Sequence, residues 1–513
     1  MPEREVQAIA GRLVDVAADA IVVNLFEGAT ELAPVTRATD EALGGALSRL
    51  VAAGDFTGKL DQLAVLYAQE GQLKAPRVLV AGLGKPAEFT ADRARQVSAT
   101  AARKARDLGA RTLATRGIPT GELHGAGAGI LSPRQAAQAV VEGSLLGLYR
   151  FQRLKSTSHD ENGRDLERLV LVEPDEGKLD EARDGAQRGR ILAESAILAR
   201  DLATEPANHL PPRALAETAQ RVAAATGLRC EVLEPAQIAE LGMGALMGVA
   251  QGSDEPARFI ILEHAPPGTA DQPPLVLCGK AVTFDSGGIS LKPGENMWQM
   301  KDDMAGGAAV IGALRALALM RVPRRTIGLI PATENMPSGR AIRPGDVLRV
   351  MDGQTIEIIS TDAEGRLVLA DALAYGHRYQ PVAMVDIATL TGAVSVALGT
   401  SVAGIMGNDQ DVLGRLKRAG EATGEKVWEL PLWDDEYKRL IKSDIADMKN
   451  SGGRTGGAIA GGMLLKQFAK QVPWAHVDVG HASWADSDLP YKPKGATGFG
   501  VRLLAEFVAA FAS

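Results

Sequence analysis

The sequence predicts an α/β protein of two domains, each with a mainly parallel or mixed sheet flanked by helices. Two observations support this prediction. Short apolar runs of strand length alternate with helical stretches rich in alanine and charged residues, as in proteins whose sheets are largely parallel. The chain also has 513 residues, which is more than one hydrophobic core usually supports, so we expect two domains.

Three apolar runs in the first third of the chain have the length of buried strands: residues 20–25, 78–81 and 169–172. Residues 91–108 are rich in alanine and arginine and predict a helix. The turn at 82–85 lacks both the dinucleotide-binding fingerprint and the Walker pattern, so a tight strand-to-helix turn is a better interpretation than a phosphate loop. The glycine-rich stretch 125–129 is similarly ambiguous, and we assign it no chemistry.

A long helix should connect the two domains. From about residue 173 to 203 the chain is charged and rich in alanine, and the helix should end near Glu205, because a residue before proline disfavours helical geometry. We therefore predict an N-terminal domain at 1–175, a linking helix at 176–205 and a second domain at 206–513. The clearest strands of the second domain are residues 259–262, 275–278, 326–330 and 384–387.

Composition and charge argue against several classes of protein. The formal net charge is −7 and no long run of Lys or Arg occurs, so nucleic-acid binding is not expected. No window approaches 18 uninterrupted apolar residues and the first residues carry no apolar signal segment, so we expect a cytoplasmic protein without a membrane span. Cys230 and Cys278 lie in apolar, strand-like runs and predict buried free thiols rather than a disulfide.

Polar side chains follow the strands of the second domain, at the edge where open α/β sheets place their sites. Lys280, Asp285 and Lys292 come after the run 275–278, and Asp303 opens a helix rich in glycine and alanine. The small residues of that helix should let it pack closely against its neighbours. A lysine before a proline, such as Lys292, is usually a surface residue, so the grouping of these residues is what favours a site.

A second polar group precedes another apolar helix. Asp362 and Glu364 are two positions apart, so they would not share a face of a helix, but in an extended or turning segment both point the same way. Gly365 would let the backbone turn there, and Arg366 adds a cation. Taken singly, Asp362 would make a good helix N-cap and Arg366 a helix-surface charge.

Four carboxylates would share the resulting pocket: Asp285, Asp303, Asp362 and Glu364. Without counter-ions, carboxylates this close cannot all ionise. Two divalent cations would balance their charge; oxygen ligands suit Mg and Mn, and Zn also accepts them. Lys280 could bind a metal only as a neutral amine, whereas Lys292 and Arg366 remain as cations that could stabilise an oxyanion.

These segments resemble the leucyl aminopeptidase (cytosol aminopeptidase) family in its bacterial form. Residues 361–367, Thr-Asp-Ala-Glu-Gly-Arg-Leu, match the family signature, and residues 279–293 look like the family's stretch with Lys, Thr-Phe-Asp-Ser-Gly-Gly and Lys-Pro. Further similar segments are 334–336, 343–346, 388–392 and 493–500. The resemblance covers about residues 180–513, whereas the N-terminal part is only loosely similar to the family's variable, macro-like first domain.

The resemblance implies a metallo-aminopeptidase that hydrolyses the N-terminal peptide bond of peptides, prefers leucine-like first residues and uses a water that bridges two divalent metals, Mn²⁺ or Zn²⁺. It implies that Asp285 and Glu364 bridge the metals, that Lys280 and Asp303 complete one site, and that Asp362 completes the other.

The resemblance also implies further roles. Lys292 and Arg366 would be the catalytic cations, with a bicarbonate at Arg366. Met300 would line the pocket for the first side chain, and Thr389 and Leu390 would line the cleft through backbone groups. A homohexamer with peptides as its partners is implied as well.

Three residues near this site depart from the family pattern. Ser360 stands where the signature has Asn, beside a proposed metal ligand. Asp302 stands where the family often has an aromatic or small residue, and it either adds negative potential or faces solvent. His481 stands where the family usually has a small residue, as a packed histidine or as part of a changed specificity pocket.

Two other functions are compatible with parts of the sequence. Some bacterial members of the family also bind DNA, although the acidic balance of this chain argues against that role. Carboxylate sites with two metals also serve phosphoesterases, but the lysine ligand and the Lys-Pro segment argue against one here.

Overall fold

The computed structural model describes residues 4–118, 131–156 and 165–511, and the chain divides into two compact units. The first contains Met1–Glu194 with Asp488–Pro493, and the second contains Ser195–Ser487 with Lys494–Ser513. Each unit has a sheet flanked by helices, so the predicted α/β class is confirmed. The boundaries at 175 and 205 stay a prediction, and the stretch 125–129 lies outside the described residues.

The first unit is built on a mainly parallel sheet. Its described strands are β1 (Glu5–Ala10), β2 (Ala20–Leu25), β3 (Leu63–Tyr67), β4 (Arg77–Gly82), β5 (Thr112–Arg116) and β6 (Arg168–Glu173). They are ordered β1-β6-β5-β2-β4-β3, and among them β3 alone runs antiparallel to its neighbour. The three predicted apolar runs all lie in these strands, because strands buried on both faces consist of continuous apolar residues.

Helices cover this sheet. They are α1 (Pro34–Ala42), α2 (Ala46–Ala52), α3 (Ala91–Asp107) and α4 (Pro133–Gly147). The predicted helix at 91–108 is α3, which begins after Thr90, whose side chain accepts a hydrogen bond from the Arg93 N–H. Helix α4 packs closely on α3, since a Cβ at Gly143 would lie 2.2 Å from the Arg95 carbonyl oxygen.

The predicted long helix is α5 (Leu179–Thr204). It begins later than its composition suggests, because β6 and a short 3-10 turn at Glu176–Lys178 come first. It ends shortly before Pro206, as expected for a helix that meets a proline.

The second unit contains a larger, mixed sheet and two small ones, β12-β13-β17 and β19-β20. The described strands of the unit are β7 (Arg229–Leu233), β8 (Arg258–His264), β9 (Leu275–Gly279), β10 (Ala281–Asp285), β11 (Thr326–Asn335), β12 (Val347–Arg349), β13 (Thr355–Glu357), β14 (Ala383–Ala388), β15 (Ala403–Gly407), β16 (Val427–Glu429), β17 (Met448–Lys449), β18 (Trp474–Asp478), β19 (Trp484–Ala485) and β20 (Gly495–Ala496). The main sheet is ordered β16-β15-β18-β14-β9-β11-β8-β7, with β10 paired to β11. Its centre, from β18 to β11, is parallel, so these strands end at one edge.

The helices of this unit are α6 (Pro212–Thr226), α7 (Pro235–Glu240), α8 (Gly244–Ala250), α9 (Ala305–Leu319), α10 (Gly365–Gly376), α11 (Gly392–Leu398), α12 (Gln410–Thr423), α13 (Asp434–Tyr437), α14 (Gly457–Ala469) and α15 (Val501–Ala509). Every residue of α10 is buried, because α8, α14 and the sheet cover it. Helix α9 lies against the sheet and α15. Both α9 and α10 begin beside the polar residues that the sequence singled out.

The cysteines are free, and Cys278 is buried in β9. The predicted burial of Cys230 is wrong, since this residue is half-buried on β7, which is an edge strand with an alternating pattern of exposure. Among the described residues, no helix combines the length and the apolar character that a bilayer crossing needs.

Candidate active site

All ten residues that the sequence singled out line one cavity of about 760 Å³. The cavity lies at the edge where the central parallel strands of the second unit end. Lys280 follows β9, Asp285 ends β10, and Thr389 follows β14. Asp303 lies two residues before α9 and Glu364 directly precedes α10, so the starts of these two helices lie at the same edge. The remaining members of the set are Lys292, Met300, Asp362, Arg366 and Leu390.

Three buried acids form the centre of the cavity. One carboxylate oxygen from each of Asp285, Asp303 and Glu364 lies within 4.8 Å of the other two. The Lys280 ammonium lies 2.8 Å from a carboxylate oxygen of Asp303 and 2.8 Å from Oε1 of Glu364, and it donates to the Thr389 carbonyl at 3.0 Å. The other oxygen of Glu364, Oε2, is buried and has no hydrogen-bond partner.

Asp362 lies beside this group of three acids rather than within it. Its partly exposed carboxylate forms an ion pair with Lys292, whose ammonium also lies 2.7 Å from Asp285. The loop between Asp285 and Lys292 is tight. Its Gly287 has φ +87°, and a Cβ there would lie 2.9 Å from the Asp362 carboxylate. The positive φ and the close approach explain why the first of the two glycines in Thr-Phe-Asp-Ser-Gly-Gly stands at this position.

The role expected of Gly365 is wrong. We predicted that it would serve a backbone turn, but it is the first residue of α10 and its φ is not positive. A Cβ at this position would lie 2.7 Å from Cδ of Lys280. The glycine therefore provides space for the lysine side chain.

Close packing of α9 is confirmed, since a Cβ at Gly306 would lie 2.2 Å from the Ile387 carbonyl oxygen.

Burial and mutual charge shift the pKa values of these groups in opposite directions. Burial and repulsion by Glu364 raise the pKa of Asp285 to about 6, and burial raises the pKa of Asp303 well above its usual value. Burial also acts to raise the pKa of Glu364, but Lys280 and Lys292 outweigh it and lower this pKa. Burial lowers the pKa of each lysine, but the carboxylates outweigh it and raise both.

Arg366 is buried in the wall of the cavity. Its Nη1 donates to the Asn450 carbonyl at 2.7 Å, its Nε has no hydrogen-bond partner, and burial lowers the pKa of its guanidinium. The Asn450 side chain donates to the Ser360 carbonyl at 2.6 Å and accepts from the Ser360 N–H at 3.3 Å. The backbone of Ser360 is thus fixed by Asn450, a residue that the sequence analysis missed.

Asn335 was also missed, although residues 334–336 contributed to the resemblance. It ends β11, and its amide donates to Asp285 at 2.8 Å and to the Thr361 carbonyl at 3.0 Å. Asn335 therefore links β10, which carries Asp285, to the loop that carries Asp362 and Glu364. The sequence offered no direct signal, because a buried Asn after an apolar strand is indistinguishable from a turn residue.

The cleft residues are held by the same network. The Thr389 hydroxyl donates to Asp303 at 2.9 Å, and the Leu390 N–H donates to Asp478 at 3.2 Å. The Thr391 N–H and hydroxyl also donate to Asp478, at 3.2 and 2.6 Å. A substrate that bound the Leu390 N–H would therefore compete with Asp478, whereas the Thr389 carbonyl can accept a second hydrogen bond beside that of Lys280.

Asp302 and His481, which depart from the family pattern, both line the cavity, and their surroundings each exclude one of the two interpretations given above. Asp302 does not face solvent: its side chain is buried and accepts a hydrogen bond from Ser483 at 2.5 Å. His481 is not a packed histidine, since it is exposed on the cavity wall and its Nδ1 lies 2.9 Å from the Ser395 hydroxyl.

Known proteins are similar to this sequence along most of its length. The model of the cytosol aminopeptidase family, catalytic domain, matches residues 197–505, and that of the family's N-terminal domain matches residues 22–158. A probable cytosol aminopeptidase from Geotalea uraniireducens is 48% identical over 478 residues, which are 91% of this chain and 92% of that protein. Another from Roseiflexus castenholzii is 45% identical over 503 residues, or 97% and 98% of the two chains.

Solved structures share the fold as well. The bottromycin maturation enzyme BotP in complex with Mn matches with a TM-score of 0.84 and 36% identity, covering 97% of this chain and 100% of that one. A mutant of tomato leucine aminopeptidase matches with a TM-score of 0.87 and 34% identity, covering 99% and 97%. The chain therefore belongs to the cytosol aminopeptidase family and is a hydrolase of peptides.

Proposed function

We propose that this protein removes the first residue of peptides with a free N-terminus, and that it does so with two divalent metals bound at the acidic cavity. The observation that carries the proposal is the buried cluster of Asp285, Asp303 and Glu364, whose nearest oxygens lie within 4.8 Å of one another. Buried carboxylates at this distance need cations, and one lysine does not satisfy Glu364, because Oε2 of that residue has no partner. The donor set, which consists of carboxylates and one amine, fits divalent cations.

The residues proposed to hold the metals are Lys280, Asp285, Asp303, Asp362 and Glu364. When bound, the two cations would supply an acidified water and polarise the scissile carbonyl. Without metal, the surrounding carboxylates raise the pKa of Lys280. Because a lysine binds metal only as the neutral amine, loading this site should release a proton.

Two cations of the protein are proposed to act on the substrate. The Lys292 ammonium lies between Asp285 and Asp362 and is partly open to the cavity, so it can donate to the scissile carbonyl as negative charge develops on its oxygen. Arg366 has a buried Nε–H without a partner. A bicarbonate could accept from this group and from the adjacent guanidinium nitrogens, because the planar fork matches a planar anion.

The proposed metal set supports selection of free N-termini. A bound metal would offer a ligand position to a neutral α-amine, whereas the amide nitrogen of a blocked N-terminus is a poor ligand. Met300 lines the same cavity and offers an apolar contact to the first side chain. Leucine-like first residues are therefore proposed as substrates.

The nature of the metal, the assembly and the location are further proposals. One structural relative was solved with Mn, which makes Mn²⁺ the first metal to test, with Zn²⁺ as the alternative. The family resemblance supports a cytoplasmic homohexamer. Sedimentation velocity should then give one particle with six times the mass of a single chain.

The function is tested with matched peptides. The purified protein is incubated with Leu-Gly-Gly and with N-acetyl-Leu-Gly-Gly, before chelation, after chelation and after addition of Mn²⁺ or Zn²⁺. We expect release of free leucine from the unblocked peptide alone, loss of this activity on chelation and its return with metal. Cleavage of both peptides at equal rates, or of neither under any metal, would refute the proposal.

A further inference from the structure

One buried acid on the cavity wall has no place in the proposed metal set. Asp302 is 7% exposed, and its Oδ2 accepts a hydrogen bond of 2.5 Å from the Ser483 hydroxyl. Its other oxygen, Oδ1, is buried without a hydrogen-bond partner. A buried carboxylate oxygen without a donor is unfavourable, because it has lost its hydration and gained no hydrogen bond in return. A ligand that enters the cavity can supply that donor.

The charge of the neighbouring Lys301 acts on Asp302, but the two side chains do not form an ion pair. The adjacent Lys301 directs its ammonium over the rings of Trp298 and Trp484, 5.7 and 5.8 Å from their centroids. In the part of the chain that the structure describes, no basic side chain forms an ion pair with Asp302. A positively charged group that entered the cavity could therefore form the ion pair that the described residues do not provide.

Asp302 lies where it can meet the first side chain of a substrate. It belongs to the same 3-10 turn, Met297–Asp302, as Met300, and both residues line the cavity. Ser483, which donates the hydrogen bond to Asp302, belongs to the turn Gly480–Ser483 and lines the cavity too. The pocket thus combines an apolar wall at Met300 with an acidic group at Asp302.

We propose that Asp302, held by Ser483, selects peptides whose first residue is lysine or arginine over peptides that begin with leucine. This inference rests on the proposed aminopeptidase function. The alkyl stem of a lysine or arginine would contact Met300, while its charged end would donate to the free oxygen of Asp302. Leucine would make the apolar contact but leave the carboxylate unpaired, and a site built for a donor discriminates against a side chain that lacks one.

The test compares ratios, because a ratio cancels losses in metal binding or in the fraction of folded enzyme. Lysine and leucine p-nitroanilides are hydrolysed by the metal-loaded enzyme and by two variants, Asp302→Asn and Asp302→Ser. We expect the wild-type enzyme to favour lysine and the ratio of kcat/KM for lysine over leucine to fall by about 10- to 100-fold in both variants. The matched control is Glu295→Gln, which removes an exposed negative charge from the rim of the same cavity and should leave the ratio nearly unchanged.

A binding measurement separates this inference from the proposed function. Calorimetric titration with lysinamide and leucinamide, which carry a free α-amine, reports the same preference without turnover. If no anilide or peptide is hydrolysed, the aminopeptidase function fails, and tighter binding of lysinamide that Asp302→Asn abolishes still supports the acidic pocket. A wild-type enzyme that binds or hydrolyses leucine derivatives as well as lysine derivatives, or a ratio that Asp302→Asn leaves unchanged, would overturn the inference.

Discussion

Gly365 leaves the space that the side chain of Lys280 occupies. A Cβ at Gly365 would lie 2.7 Å from Cδ of Lys280 and 2.8 Å from its Nζ, inside van der Waals contact. The lysine follows β9 and the glycine begins α10, so this contact sets how closely the strand end and the helix start approach at the acidic cavity.

Gly365→Ala should therefore impair the site while leaving the fold nearly as stable. Alanine favours a helix by about 1 kcal/mol over glycine, and the flexible Lys280 can move aside, but its ammonium would then leave Asp303 and Glu364. We expect weaker metal binding and lower kcat with a thermal midpoint close to that of the wild type. Gly414→Ala in α12, where a Cβ meets only the end of Arg418 at 3.5 Å, is the control and should keep full activity.

Lys292→Ala should lower kcat by about 100- to 1000-fold, because a donor aimed at a developing oxyanion is lost. KM for the peptide should change less than kcat. Lys442→Ala removes an exposed lysine of the same unit and provides the control. Turnover of the Lys292 variant at the wild-type rate, in steady-state assays with saturating metal, would rule out the oxyanion role.

Asn335→Ala should weaken metal binding by about 10- to 100-fold, as loss of a partner that orients a ligand typically does. The change removes the hydrogen bonds that Asn335 donates to Asp285 and to the Thr361 carbonyl. Asn408→Ala is the control, since the Asn408 amide likewise donates two hydrogen bonds, in its case to two backbone carbonyls, and does not line the cavity. If both variants lose stability in urea but keep the same metal affinity, the positioning role of Asn335 is wrong.

The charged residues of the site could be predicted from the sequence, but the residues that hold them could not. Carboxylates and lysines after apolar strands carry a signal, because their grouping at the ends of strands is unusual. Asn335, Asn450 and Asp478 act through hydrogen bonds to groups that lie far away in sequence. No local pattern indicates such a bond before the fold is known.

The same limit applies to the elements of the fold. The apolar runs in buried parallel strands were predicted, since burial on both faces leaves continuous hydrophobic stretches. The half-exposed position of Cys230 was missed because the sequence does not say that β7 lies at an edge. The role of Gly365 was missed for a related reason. The side chain that needs its space belongs to Lys280, which is distant along the chain.

His476 should make stability depend on pH. It is fully buried in β18, and its Nδ1 lies 2.5 Å from Asp386, which also accepts from the Trp474 indole at 2.7 Å. Burial lowers the pKa of His476, but Asp386 outweighs burial and raises it above the usual 6.5. The ion pair thus stabilises the fold fully below that usual pKa, and this contribution is lost as pH rises through the higher folded-state pKa.

Urea unfolding of the wild type and of His476→Gln, at fixed metal concentration, measures this effect. The difference in unfolding free energy should be largest near about pH 5.5 and shrink toward about pH 8.5. A difference that is constant over this range, or that grows with pH, would mean that His476 is neutral in the fold.

Metal content measured together with activity shows whether peptide hydrolysis depends on two metal ions held by the acidic cavity. The chain is stripped by chelation, reloaded stepwise with Mn²⁺ and assayed on Leu-Gly-Gly while bound metal is counted by mass spectrometry; Glu364→Gln is treated in the same way. We expect two equivalents of metal per chain, activity that rises with loading, and loss of both metal binding and activity in the variant. Full hydrolysis by metal-free protein, or by a Glu364→Gln variant that binds no metal, would contradict it.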